Sequence, residues 1–252
     1  MAVGIIGAGN MGRALALGLG EPIVCADPVA ERAAALAGET GGEALASNLE
    51  VAERADVVVL CHKPAQLEQV AADIAGSAKA VLSILGGRSL ADLEAALPET
   101  PVSRAMPNVA VELGRGVVCY ARGARVDDEL DGRLRELLGR LGVVLDVPDG
   151  LLDPATGVTG VAPAYMAVIV EAWIDSAVHH GIPADLASPM VIESAAGALD
   201  LLRAREGETL GIRRAVTSPG GVTAAGLGAL ERAGVRGAFV DAMDAVMERF
   251  RA

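Results

Sequence analysis

The chain has 252 residues, of which 52% are hydrophobic and only 2% aromatic, and its formal net charge at pH 7 is −12. This length fits one large domain or two modest ones, and an acidic chain without a basic run is a poor candidate for binding nucleic acid. No stretch of about 18 residues is continuously apolar and uncharged, and the N-terminus carries no basic, apolar leader, so we expect neither a membrane span nor a signal peptide.

The cysteines are few and scattered. Cys25, Cys61 and Cys119 form no Cys-x-x-Cys pair, and an odd count argues against a disulfide framework. We see no cluster of residues that would hold a metal, and we expect no metal site. Free thiols of this kind are typical of a reducing compartment, so we expect the protein in the cytoplasm.

The first part of the chain alternates short apolar runs with helical patterns. The predicted strands are Val3–Ile6, Ile23–Ala26, Val57–Leu60, Ala80–Ile84, Val102–Ala105, Val117–Tyr120 and Val143–Asp146. The predicted helices between them are Met11–Leu19, Glu31–Ala37, Gln66–Ile74, Leu90–Leu97 and Glu129–Leu141. Apolar strands that alternate with helices indicate an α/β domain, a Rossmann-type, mostly parallel sheet covered on both faces.

The pattern changes to helices alone after Pro148-Asp149-Gly150. The predicted helices are Tyr165–His180, Ala187–Arg205, Gly211–Val216, Ala224–Ala233 and Arg236–Arg251. We therefore predict a dinucleotide-binding domain over residues 1–149 and an all-helical domain over residues 150–252. The helix from Tyr165 is apolar nearly all round, which predicts burial against a second subunit and hence a homo-oligomer.

A glycine-rich motif follows the first predicted strand. Gly7-Ala8-Gly9-Asn10-Met11-Gly12 matches G-x-G-x-x-G and opens a helix, the context in which this motif binds a dinucleotide pyrophosphate. Asp27 ends the second strand, where an acid can bind a ribose 2′-hydroxyl and disfavour a 2′-phosphate. Capping of the next helix is the alternative role for Asp27, and Arg32 lies one helical turn away, so both NADH and NADPH stay open.

Several further segments carry a resemblance to a known family. They are His62-Lys63-Pro64, Arg104-Ala105-Met106-Pro107-Asn108, Pro163-Ala164-Tyr165 and the run from Val216 to Thr223 that contains Ser-Pro-Gly-Gly. In this order and spacing the chain resembles the pyrroline-5-carboxylate reductase family over essentially its full length. The resemblance implies a C-terminal helical domain that forms dimers, in some members higher homo-oligomers. It also implies reduction of the C=N bond of 1-pyrroline-5-carboxylate, a small cyclic imine carboxylate, to L-proline with NADPH or NADH.

The same resemblance implies roles at the cofactor end. The residues implied to contact the cofactor are Gly7, Gly9, Asn10, Met11, Gly12 and Asn48, and those implied to line the nicotinamide side are Lys63, Pro64, Met106, Pro107 and Asn108. His62 stands where the family commonly has a small apolar residue. We expect His62 near the cofactor, with a half-exposed loop histidine as the alternative.

The resemblance implies that Ser218, Gly221, Val222 and Thr223 meet the substrate. The chemistry agrees, because a Gly-Gly turn that enters a helix presents N–H donors to a carboxylate, and hydroxyls can add donors. We predict that Ser218 and Thr223 act in catalysis, with Thr223 reaching the ring nitrogen. Helix capping is the alternative for both hydroxyls.

The chain departs from the family before Pro-Ala-Tyr. Thr159-Gly160-Val161-Ala162 stands where the family usually has Ser-Gly-Ser-Gly. We therefore expect Thr159 and Val161 at the substrate, in the positions of the two serines. This favours, as alternatives, a reductase of a different cyclic imine or a non-catalytic NAD(P)-binding protein. A β-hydroxyacid dehydrogenase is disfavoured, because those enzymes use a lysine on the second domain and this chain has none after Lys79.

Overall fold

The computed structural model describes residues 1–251 and contains one eight-stranded sheet. The strands are β1 (Val3–Ile6), β2 (Val24–Ala26), β3 (Glu43–Ala44), β4 (Val57–Leu60), β5 (Val81–Ser83), β6 (Val102–Pro107), β7 (Gly116–Arg122) and β8 (Gly142–Asp146). Their order is β3-β2-β1-β4-β5-β6-β7-β8, and every neighbouring pair is parallel except β6 with β7. The predicted mostly parallel sheet is therefore confirmed.

Seven helices accompany the sheet in the described chain up to Thr159. They are α1 (Asn10–Leu19), α2 (Ala30–Thr40), α3 (Asn48–Arg54), α4 (Leu67–Ile74), α5 (Leu90–Ala96), α6 (Asp128–Gly139) and α7 (Leu152–Thr159). Two separate clusters of buried aliphatic side chains fill the space between the sheet and these helices. The core is thus packed despite the small aromatic content, because alanine, valine, leucine and isoleucine fill it.

Five helices make up the rest of the described chain. They are α8 (Ala162–His179), α9 (Ala184–Ala204), α10 (Thr209–Ala215), α11 (Val222–Arg232) and α12 (Val235–Arg251). The predicted all-helical character after the sheet is confirmed, with each helix end within about three residues of its expected position. Sequence patterns rarely fix helix ends better than this, since end residues fray and carry little periodicity.

One strand and two α-helices of the described chain escaped the sequence prediction. The strand β3 is two exposed residues long and has no apolar pattern to reveal it. The helix α3 begins after Ser47, whose hydroxyl accepts a hydrogen bond from the Glu50 N–H while the Glu50 carboxylate accepts one from the Ala46 N–H. The helix α7 contains Pro154 in its first turn, where proline is compatible with a helix.

The chain divides into two compact units, Met1–Pro163 and one that begins at Ala164. The first unit includes α7 because the buried Arg104 of β6 binds Asp149 and Asp153, the latter on α7. The predicted functional division at residues 149 and 150 therefore lies within the first compact unit, and it stays a prediction.

One helical stretch, Asp149–His179, is long and apolar enough to cross a membrane by length and composition. Few residues in its most apolar part are buried in the described chain. The sequence expectation considered only uncharged stretches and did not anticipate this helix. A single helix of this kind is weak evidence for a membrane, because an apolar helix that meets a partner subunit has the same composition.

Candidate functional site

The loop after β1 has the backbone that a dinucleotide motif requires. Gly7 has a φ of 103°, and a Cβ there would lie 2.7 Å from the backbone of Cys61 and His62. A Cβ on Gly12 would collide with the Gly7 carbonyl oxygen, whereas a Cβ on Gly9 would meet open space. The first and third glycines are therefore needed for packing, and the second leaves room for a ligand.

The start of α1 is open to a ligand. Gly9 is the residue before the helix, and no side chain caps it. The first N–H groups of a helix have no partner within the helix, and together with the helix dipole they favour an anion. Asn10 is exposed and Met11 is half-buried at this end. The geometry suits a pyrophosphate, as the motif predicts.

Asp27 connects the end of β2 to this loop. Its Oδ2 accepts a hydrogen bond from the Ala8 N–H at 2.8 Å, and its Oδ1 accepts one from the Val29 N–H at 2.8 Å. The helix α2 starts after Val29 without a side-chain cap. Asp27 therefore holds the glycine loop, and the alternative in which it only caps α2 is wrong.

Asn48 lies beside Asp27 in the same cleft. A cavity of about 450 Å³ is lined by Ala26, Asp27, Pro28, Ala46, Ser47, Asn48, Leu49 and Asp73. The Asn48 Nδ2 donates to Asp73 Oδ2 at 2.9 Å, and the Gln69 side chain donates to Asp73 Oδ1 at 2.8 Å. Asp73 is a residue that sequence reasoning missed, because nothing in its helical pattern marks it as facing this cavity.

The segment after β4 runs beside the glycine loop. The Cys61 N–H donates to the Ile6 carbonyl at 2.8 Å, and Pro64 opens a single 3-10 turn that ends at Gln66. His62 is half-buried; its Nδ1 lies 2.9 Å from the Lys63 carbonyl, and its Nε2 is buried without a hydrogen-bond partner among the described residues. Burial lowers the pKa of His62 and outweighs the opposing hydrogen bond to the Lys63 carbonyl.

Arg104 anchors the Arg-Ala-Met-Pro-Asn segment. Its side chain is 2% exposed, and its two Nη atoms donate to Asp149 at 2.6 Å and to Asp153 at 3.1 Å. These carboxylates also accept hydrogen bonds from the backbone N–H groups of Leu90 and Gly87. The ion pairs thus fasten β6 to α7, and the two backbone hydrogen bonds connect the same carboxylates to the start of α5 and the loop before it. The charge of Arg104 inside a largely apolar strand was the available signal for this cluster.

Asn108 is buried at the end of the same segment. Its Nδ2 donates to the Thr159 carbonyl at 3.2 Å, and its Oδ1 accepts from the Val117 N–H at 3.2 Å. Met106 is also buried, in an apolar cluster with Cys119 and Leu152. The side chains of Met106 and Asn108 therefore hold the local backbone together, while Pro107 is half-buried between them.

The altered segment after α7 offers little polarity. The Thr159 hydroxyl donates to the Ala155 carbonyl at 3.0 Å. Val161 is half-buried in the bend between α7 and α8, and it has no polar atom on its side chain. Thr159 contacts Asn108 through its backbone carbonyl, which accepts the hydrogen bond from Asn108 Nδ2.

The Ser-Pro-Gly-Gly segment forms a tight turn between α10 and α11. Gly220 has a φ of 72°, and the Gly221 N–H donates to the Ser218 carbonyl at 3.0 Å. A Cβ on Gly221 would collide with the Ser218 hydroxyl. Val222 is 91% exposed, Ser218 is exposed and Thr223 is half-buried.

The start of α11 lacks a side-chain cap. Gly221 precedes the helix, and neither Ser218 nor Thr223 bonds to its first N–H groups. The alternative in which these hydroxyls serve as caps is therefore wrong for the described chain. Free N–H groups and two hydroxyls at one turn form a set of donors that a carboxylate would satisfy.

Comparisons with known proteins find one family model for the N-terminal part of the chain and another for the C-terminal part. The family model described as pyrroline-5-carboxylate reductase dimerisation matches residues 149–252, and the one described as NADP oxidoreductase, coenzyme F420-dependent, matches residues 2–87. A pyrroline-5-carboxylate reductase of Synechocystis sp. is 33% identical over 98% of this chain and 96% of its own length. One of Mycobacterium tuberculosis is 35% identical over 98% of this chain and 95% of its own.

The chain belongs to the pyrroline-5-carboxylate reductase family. That family consists of NAD(P)-dependent oxidoreductases that reduce 1-pyrroline-5-carboxylate to proline. The solved reductase of Streptococcus pyogenes matches with a TM-score of 0.91 and 28% identity, covering 99% of this chain and 98% of that one. A Plasmodium falciparum pyrroline carboxylate reductase solved with NADP bound matches with a TM-score of 0.89 and 26% identity, covering 99% and 97%. The sequence prediction of the family is therefore confirmed.

Proposed function

We propose that this protein reduces 1-pyrroline-5-carboxylate to L-proline. A hydride from NADH or NADPH would add to the carbon of the protonated C=N bond, and the nitrogen would keep its proton, so that the products are the secondary amine and the oxidised cofactor. The observation that carries the proposal is the uncapped turn at Ser218–Thr223, in a chain that matches reductases of this name over nearly its whole length.

We assign the cofactor end to the residues around the glycine loop. Gly7, Gly9 and Gly12 shape the loop, and the N–H groups at Asn10 and Met11 face the pyrophosphate. Asp27 and Asn48 receive the adenosine ribose. The nicotinamide side is assigned to His62, Lys63, Pro64, Met106, Pro107 and Asn108. Burial of Met106 and Asn108 makes them supports of this surface, since their side chains are already engaged.

We assign the substrate end to the turn before α11. The N–H groups after Gly221 and the Ser218 hydroxyl would hold the carboxylate, and the Thr223 hydroxyl would bond to the ring nitrogen. Val222, which is 91% exposed at this turn, would supply an apolar contact. No acid or base need move a proton if the imine binds protonated, so the protein acts mainly by orienting the ring.

The second unit is assigned to subunit association. Trp173 and Phe239 are 49% and 51% exposed, and Tyr165 and Phe239 line one apolar groove together with four aliphatic residues. Exposed apolar surface of this extent is typical of an interface. We propose a homodimer formed through residues 150–252, with higher homo-oligomers built from such dimers as the alternative. Three free cysteines support a place in the cytoplasm.

The test is a steady-state assay of NADH and NADPH oxidation with 1-pyrroline-5-carboxylate, with L-proline quantified as product. The proposal expects one proline for each cofactor oxidised. Cofactor binding measured by fluorescence, with no turnover on this imine, would overturn it.

One observation favours a second candidate, the reduction of a different cyclic imine. The Thr159 hydroxyl donates to the Ala155 carbonyl, and the Val161 side chain has no hydroxyl, so this segment is less polar than Ser-Gly-Ser-Gly would be. A panel of five- and six-membered cyclic imine acids distinguishes the candidates. A higher kcat/KM for the six-membered ring would favour the second.

A further inference from the structure

The cleft at the end of β2 is unusually rich in hydrogen-bond acceptors. Two carboxylates, Asp27 and Asp73, line its cavity of about 450 Å³, and no lysine or arginine is among the described residues that line it. Asn48 lies in the same cavity with one N–H of its amide already given to Asp73. A ligand that enters this cleft therefore meets mainly oxygen acceptors.

These acceptors are held in place by bonds to the rest of the protein. Asp27 is fixed at both oxygens by the N–H groups of Ala8 and Val29, each at 2.8 Å. Asp73 is fixed by Asn48 and by Gln69. An oriented carboxylate accepts readily from a sugar hydroxyl, which is a donor, whereas it repels a phosphate at the same position.

We infer that this cleft makes the enzyme select NADH over NADPH. Asp27 accepts from the ribose hydroxyls, and Asp73, a positioning residue, holds Asn48 and adds a second negative charge against a 2′-phosphate. The inference rests on the proposed cofactor role of the glycine loop and Asn48. It does not depend on which imine is reduced.

The neighbouring cavity contains the cations that a 2′-phosphate would need. It measures about 500 Å³ and is lined by Ala8, Gly9, Asn10, Arg13, Arg32, Ala35, Leu36 and Glu39. Arg13 is paired with Glu39 at 2.8 Å and with Glu112 at 3.4 Å, so its charge is compensated. Arg32 has no side-chain partner in the described part of the chain, which makes it the one competing ligand to be tested.

The experiment is a fluorescence titration of the full-length protein with NADH and with NADPH, without any imine. It compares the wild type with Asp73→Asn, Asp27→Asn and Arg32→Gln. Asp73→Asn keeps an acceptor for the Asn48 amide and leaves the glycine loop untouched, so it remains informative if Asp27→Asn folds poorly. Glu129→Gln on α6 is the matched control, since it removes one exposed negative charge at the other end of the sheet.

The wild type is expected to bind NADH at least about tenfold more tightly than NADPH. Asp73→Asn should reduce this ratio by about threefold and Asp27→Asn by about tenfold, and the ratio should shrink in high salt because it arises from charge. Glu129→Gln should leave it unchanged. Tighter binding of NADPH by the wild type, lost in Arg32→Gln, would overturn the inference. Failure to reduce 1-pyrroline-5-carboxylate would overturn only the proposed substrate.

Discussion

The two units of the chain differ in how much of their apolar surface they bury. In the first unit, aliphatic clusters fill both faces of the sheet. In the described part of the second unit, Ala187 and Val191 are the only apolar residues that are buried. A helical unit with so small a core cannot be stabilised by its own packing. The residues assigned to the cofactor thus lie on a unit that has its own packed core, whereas the helical unit has an apolar surface that fits association.

The largest effect is expected at the glycine loop, where packing leaves no space. Gly12→Ala places a Cβ against the Gly7 carbonyl oxygen. This oxygen belongs to the backbone of the glycine loop, so it cannot move away without disturbing the motif. We expect the free energy of unfolding to fall by about 3 kcal/mol and NADH binding to be lost. Urea unfolding and cofactor titration measure both effects.

Gly132→Ala is the matched control for this substitution. It lies in α6 with open space around its Cβ, and alanine favours a helix, so stability should be kept or slightly raised. Equal losses in the two variants would contradict the packing argument.

A smaller loss is expected when the Arg104 cluster is broken. Arg104→Met keeps the apolar stem but leaves Asp149 and Asp153 without their cation. Because these carboxylates are about one-third exposed, water compensates part of the loss, and we expect about 2 kcal/mol of destabilisation in urea unfolding. Combining Arg104→Met with Asp149→Asn and Asp153→Asn should restore part of the stability. An unfolding curve for Arg104→Met that matches the wild type would contradict a stabilising role for this cluster.

The helical unit should respond in its assembly. Trp173→Glu places a charge on an exposed apolar face. We expect the free energy of subunit association to weaken by about 2 kcal/mol, so that the homo-oligomer dissociates. NADH should still bind. Light scattering at micromolar concentration measures the mass. Leu113→Glu is the control, because Leu113 is 80% exposed on the first unit and its substitution should not change the mass. A monomeric wild type would contradict the comparison.

The smallest effect concerns Asp131 in the first unit. Burial acts to raise the pKa of its carboxyl, but hydrogen bonds from Arg135 and Tyr120 outweigh burial and hold the pKa below its ordinary value. The resulting stabilisation is complete above the unfolded pKa of about 4 and is lost as the pH falls through the lower folded pKa. Asp131→Asn should therefore cost about 1 kcal/mol at neutral pH and progressively less in acid.

Urea unfolding at pH 7 and near pH 3 tests this sign. Asp128→Asn is the control, because Asp128 is 97% exposed in its pair with Arg122 and should change stability little at either pH. A cost for Asp131→Asn that grows as the pH falls would show that burial dominates.

The sequence predicted the features that depend on local pattern. The apolar runs of β1 and β4 and the glycine motif reveal the cofactor end, because period, turn chemistry and close packing all require specific residues there. The Ser-Pro-Gly-Gly segment was found only through a family resemblance, since a turn of this composition is common in proteins.

The contacts between distant segments could not be predicted in the same way. Asp73 reaches Asn48 across 25 positions, and Arg104 reaches Asp149 across 45. Such pairs depend on how the sheet brings distant segments together, and the local sequence pattern does not predict that arrangement. A charged residue inside an apolar strand, as Arg104 is in β6, was the one available sign of a buried partner.

The most direct test of the central claim compares Thr223→Ala with Thr217→Ala. The Thr217 hydroxyl is already bonded to the Arg213 carbonyl, whereas the Thr223 hydroxyl has no partner in the described chain. For Thr223→Ala we predict that kcat with 1-pyrroline-5-carboxylate falls by about a hundredfold, with NADH affinity and unfolding unchanged. Thr217→Ala should retain most of its turnover. Unchanged kinetics in Thr223→Ala would contradict the claim that this turn binds and orients the imine for reduction.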